Sequence, residues 1–149
     1  MYQFLLFLHI AAAATWIGAT IRQMAEAPVV QAGEPVARAM WHRTQVAMGT
    51  RLFAPAAVIV LVSGIWMVLD NSSVGFGTPF VSIGFAAVIF SAAVGPVVFG
   101  KRGEAAAAKL DEGDVAGAEA IAKKTRPIVW LDLGILFVAL AAMVWTWGL

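Results

Sequence analysis

Four long stretches of this chain are free of charge or nearly so: residues 1–21, 52–69, 71–100 and 127–149, the last broken only by Asp132. At 1.5 Å of rise per residue, about 20 helical residues cross roughly 30 Å of hydrocarbon. Each stretch is therefore long enough to span a bilayer. The pattern predicts an all-α fold, a four-transmembrane-helix bundle forming a single integral membrane domain over 1–149, with spans at roughly 2–21, 51–70, 79–99 and 127–148. The first span lacks a basic segment ahead of it and is too long for the apolar part of a signal peptide, so it is read as a retained helix.

Breaks between the spans follow from glycine and proline. Gly33-Glu34-Pro35 reads as the end of one helix and the start of the next, with Pro35 in the first helical position and Pro28 as an earlier break. No proline then interrupts until Pro55, so the second helix is expected to begin in water and enter the bilayer near Arg51. Pro55 and Pro96 are expected to kink their spans. Between spans three and four the chain is alanine-rich, with a turn signal at Asp111-Glu112-Gly113 and an N-cap at Asp114; this predicts a helical hairpin on the cytoplasmic face. Two spacings of four small residues, Ala14/Gly18 and Ala87/Ser91/Gly95, are candidate ridges for close helix contact.

Composition agrees with this pattern. Hydrophobic residues make up 61% and charged residues 13% of the 149 residues, and the mean hydropathy is +0.85. All ten Lys and Arg residues lie in the two long connections, none in the 70–79 loop or at either terminus. By the positive-inside rule both termini lie outside the cytoplasm, as expected of a multi-pass protein of a bacterial inner (plasma) membrane. Arg38, Trp41, His42 and Arg43 read as a basic and aromatic mixture at the anionic headgroups. With no cysteine, disulfides, thiolate metal sites and iron–sulfur ligation are excluded. A formal net charge of +1 suggests no nucleic-acid partner. The expected partners are membrane lipid and either further copies of the chain or a larger membrane complex.

The candidate chemistry centres on His9, an imidazole inside a span otherwise fit for lipid, which makes it a candidate site by default. It lies about 10 Å from the outer end of its helix and shares a face with Trp16. Met67 and Met143 fall at the same depth. Imidazole and thioether together suit Cu(I) or the axial positions of haem b, so His9, Met67 and Met143 form the candidate cofactor-binding set and His9 the candidate metal ligand; the competing reading makes both methionines flexible core filler. His42, the other histidine, lies more than about 20 Å away at helical rise, too far to share an iron. At the opposite face Arg51 and Asp132 fall at similar depth and are expected to form a structural ion pair, with a proton path or gate as the functional alternative. No nucleophile and base, phosphate loop or carboxylate pair is visible, so whether the chain is an enzyme stays open at this point.

The segments FLHIAAAATWIG and RTQVAMGTRLFAPAAVIVLVSGIWMVL resemble a group of small bacterial membrane proteins. The group includes the copper-resistance D-like proteins, the membrane protoporphyrinogen oxidases and an integral membrane family of unknown function. The last shares the basic hairpin followed by Arg126, Pro127, Leu131 and Asp132. In the oxidases the histidine matching His9 is linked to haem and works with a lysine in span three; this chain has no lysine between Val81 and Phe99. The resemblance implies a haem- or metal-associated membrane protein engaged in redox or cofactor handling, with His9 as ligand. The alternative is a non-enzymatic accessory or structural subunit of a larger membrane complex.

Overall fold

A computed structural model describes residues 1–148 and contains four long helices: α1 (Tyr2–Gln31), α2 (Pro35–Leu69), α3 (Pro79–Asp111) and α4 (Val115–Val144), each long and apolar enough to cross a membrane. The all-α four-helix bundle expected from the sequence is what forms, and the described residues contain no strand. α2 begins at Pro35, ahead of its span, as expected; α1, α3 and α4 also run past their spans at that end, while α4 ends at Val144, short of 148. α1 passes through Pro28 without ending and stops only at the 32–34 turn, where Pro35 opens α2 with Glu34 extended before it. The expected hairpin is continuous with the membrane helices: α3 and α4 extend past the bilayer and are joined by a tight turn. There Gly113 has φ +80°, a conformation glycine adopts without steric cost. Asp114 caps α4 by accepting a hydrogen bond from the Gly117 amide at 2.8 Å.

A wide turn lies at each of the two prolines expected to kink their spans, Pro55 and Pro96. Residues Gly49–Phe53 of α2 and Gly95–Gly100 of α3 are π-helical. Pro55 has no N–H and its ring crowds the carbonyl one turn back; a π turn absorbs that crowding by widening the helix. The two wide turns pack against each other, so both helices are loosened at one level.

Two antiparallel pairs make up the membrane part. α1 packs chiefly along 54–69 of α2, and 79–94 of α3 packs along α4. The buried stripe of α1 is Leu5, His9, Ala12, Trp16 and Thr20, one position every third or fourth residue and therefore one face. It meets Ala56, Ala57 and Val60 of α2 in a cluster completed by Val88 and Leu136. Three alanines let the backbones approach closely, which matters in lipid because packing rather than water exclusion holds the helices together. Trp16 lies tilted against Phe53 with ring centroids 6.4 Å apart. The ridge expected at Ala14/Gly18 is a correction: both residues are exposed, because the bulky Trp16 and His9 claim the inward face. Ala87 and Ser91 do face inward. Around the outside, Phe7, Ile10, Val58, Val62, Ile89 and Val138 are exposed, a surface suited to acyl chains.

At the end carrying the hairpin, here termed the basic end, a second cluster of Ala39, Leu110 and Ala118 joins α2, α3 and α4. Here the headgroup assignment of α2 is corrected. Arg38 and His42 are buried because α2 presents that face to the hairpin; Arg38 approaches Glu119 at 3.5 Å, and the exposed Arg43 pairs with Asp111.

Candidate functional site

At the opposite end, which holds the start of α1, the end of α4 and the 70–78 loop, the two helix pairs part to leave a cavity of about 270 Å³. His9 from α1, Met67 from α2 and Met143 from α4 all line it, together with Gly64 and Gly84. The three candidate donors therefore come from three helices onto one space. Tyr2, Asn71 and Thr146 line it too, and their positions at helix ends put them toward the loop end.

The surroundings of His9 favour one tautomer of its ring. Nδ1 lies 3.0 Å from the Ser63 hydroxyl oxygen. Ser63 is one turn beyond Ile59 and donates its single proton to the helix backbone, to the Ile59 carbonyl at 2.5 Å with Val60 at 3.3 Å, the back-bonding usual for serine inside a helix. A hydroxyl whose proton is engaged can only accept. With the Ser63 proton so engaged, Nδ1 of His9 donates and Nε2 keeps its lone pair. Holding one ring nitrogen through its N–H so that the other can bind is the arrangement metal-ligating histidines use.

Two glycines make the room. A Cβ on Gly64 would meet His9 Cε1 at 3.3 Å, so the bare backbone of α2 lets the imidazole lie against it. A Cβ on Gly84 would collide with the Met143 methyl group, so α3 yields its surface to that thioether. Ser63, Gly64 and Gly84 were not singled out in the sequence. A signal for the first two existed: Ser63, Gly64 and Met67 interrupt an otherwise aliphatic run at positions that recur on one helical face.

No group of three or more His, Cys, Asp or Glu that could hold a metal ion occurs among the described residues. A metal ion in this cavity would depend on the thioethers as well as His9. His42 does not approach: it precedes Ser63 by 21 residues on one continuous helix, about 30 Å at helical rise.

Arg51 and Asp132 do not form the expected ion pair. Asp132 is buried and accepts a hydrogen bond from the Ser91 hydroxyl at 2.5 Å, whereas Arg51 is exposed and makes no salt bridge among the described residues. The reason is rotational: the buried stripe of α4, Asp132, Leu133, Leu136 and Ala139, faces α3, and Arg51 emerges from the wide turn of α2 on the outer surface.

No protein-family model, curated protein or solved structure matches this chain.

Proposed function

We propose that this chain is a metal-binding protein of a bacterial inner membrane, with both termini outside the cytoplasm, and that it holds Cu(I) through His9 Nε2 with Met67 and Met143. The convergence of one imidazole and two thioethers from three helices on a single cavity carries the reading. Soft thioether donors favour Cu(I) among biological metals. The hydrogen bond from Nδ1 to Ser63 supports it by orienting the ring. Haem b, the other occupant suggested by the sequence, is favoured less. The cavity of about 270 Å³ falls below the 300–1,000 Å³ common for organic ligands, and the loop end has no Lys or Arg to meet propionates.

Competition for Cu(I) against a chromophoric chelator under reducing conditions tests the reading on the detergent-purified chain. One equivalent should bind in wild type and none with useful affinity in His9→Ala, with Met67→Leu and Met143→Leu each weaker than wild type. A reduced-minus-oxidised spectrum showing a Soret band that disappears in His9→Ala would replace copper by haem. A colourless chain that takes no copper and co-purifies with a larger complex would overturn the proposal in favour of an accessory subunit.

A further inference from the structure

Ten basic residues are present in the chain, and they divide by whether a carboxylate pairs with them. Arg22 pairs with Glu26, Arg38 with Glu119, Arg43 with Asp111, and Lys109 with both Glu112 and Asp114. The other six, Arg51, Lys101, Arg102, Lys123, Lys124 and Arg126, make no salt bridge among the described residues. These six share one level. Arg51 lies in the wide turn of α2 and Lys101 immediately follows that of α3, and those turns touch. Arg102 donates to the Lys124 carbonyl at 3.0 Å, which brings the 123–126 stretch of α4 alongside. Glu104, on the turn after Lys101, pairs with none of them.

We infer that this belt is a selective binding site for the phosphodiester headgroups of anionic phospholipids in the leaflet at the basic end. Six uncompensated cations at the boundary between a long apolar surface and water attract anions there, and the headgroup phosphate of a lipid is an anion held at that depth. The surface just inside the membrane favours a lipid over a free anion: Val97, Trp130 and Leu131 are exposed on α3 and α4, so the same molecule that sets its phosphate on the cations lays its acyl chains on these side chains, with Trp130 at headgroup depth. Each Lys or Arg close to an anionic surface adds to the attraction. The other four cations do not compete, since each is paired with a carboxylate. Placement of the belt does not depend on the occupant of the cavity at the other end.

Native mass spectrometry of the full chain released from nanodiscs of mixed phosphatidylglycerol and phosphatidylcholine tests this. Bound lipid should be enriched in phosphatidylglycerol over the bulk mixture. In Lys123→Gln/Lys124→Gln/Arg126→Gln the enrichment should fall by at least about tenfold, whereas Arg43→Gln/Lys109→Gln, which removes paired cations, should leave it unchanged. For wild type, raising the salt to about 0.5 M before release should weaken the enrichment, a measurement that does not depend on the variants folding. Bound lipid mirroring the bulk composition, or an enrichment equally lost in Arg43→Gln/Lys109→Gln, would overturn the inference.

Discussion

His9 and Ser63 are 54 positions apart in the chain and 3.0 Å apart in space, and their contact joins α1 to α2 at the wall of the cavity. The Ser63 proton is engaged by its own helix, so the contact sets which nitrogen of His9 faces outward from the pair. An intramembrane hydrogen bond of this kind contributes on average only about 0.6 kcal/mol. Its larger effect is orientation.

Ser63→Ala should therefore separate stability from binding. The loss of stability should stay near 0.6 kcal/mol, while Cu(I) affinity drops by about 10–100-fold, the usual cost of removing a hydrogen bond that orients a metal-ligating histidine. Thermal unfolding in detergent and chelator competition on the same preparation measure the two. Equal affinity in Ser63→Ala and wild type would show that Ser63 does not position the ring.

The glycines of the cavity should respond differently to a single added methyl. In Gly84→Ala the colliding atom is the far end of the Met143 side chain, which can swing at little cost because methionine is flexible; the fold should survive with the thioether displaced, and copper affinity should fall by about the same factor as in Met143→Leu. In Gly64→Ala the 3.3 Å approach is to the His9 ring, which is held by Ser63 and gives less. This variant should lose affinity as His9→Ala does. Binding isotherms for both variants make the comparison, and unaltered affinity in both would remove the glycines from the site.

How much of this was legible in the sequence depended on whether it was written in spacing or in rotation. Uncharged runs gave the four helices, and rise per residue gave the depths that bring His9, Met67 and Met143 to one level and keep His42 away. Rotation about each helix axis was not legible. Ala14 and Gly18 have the spacing of a contact ridge yet face outward, because His9 and Trp16 share the inward face and bury more surface. Arg51 and Asp132 likewise match in depth but not in direction. The helical hairpin was legible but its continuity with spans three and four was not, because an alanine-rich, moderately charged segment such as 101–126 satisfies helix propensity without any apolar run to connect it to the spans. Pro28 and Pro127 did not stop α1 and α4; both are exposed on their helices, and each removes only one backbone bond from a 30-residue helix.

A double-mutant cycle distinguishes the ion pair expected from sequence from the hydrogen bond observed. Ser91 and Asp132 are in direct contact, so Ser91→Ala and Asp132→Asn should show a coupling energy of about 0.5–3 kcal/mol, the range for residues sharing a hydrogen bond. Arg51→Gln and Asp132→Asn should add to within about 0.3–0.5 kcal/mol, as for independent sites. Unfolding of the single and double variants in the same detergent supplies both cycles, and a large Arg51 coupling would restore the ion pair.

At the basic end, His42 gives the chain an acid-sensitive joint. Its pKa is lowered from the ordinary 6.5, first by burial and second by the Arg38 guanidinium nearby, because both disfavour the charged ring. The unfolded chain binds a proton near 6.5 while the folded chain stays neutral to lower pH, so the unfolded state carries more protons in that window and stability falls as pH falls. The contribution of neutral His42 is fully present above about pH 6.5 and is lost progressively below it. His42→Gln, which keeps a polar side chain without a titrating group, should therefore flatten the decline in unfolding temperature between about pH 6.5 and 5 relative to wild type. Arg38→Gln removes only the second cause and should flatten it less. Parallel slopes for wild type and His42→Gln would place the acid sensitivity elsewhere.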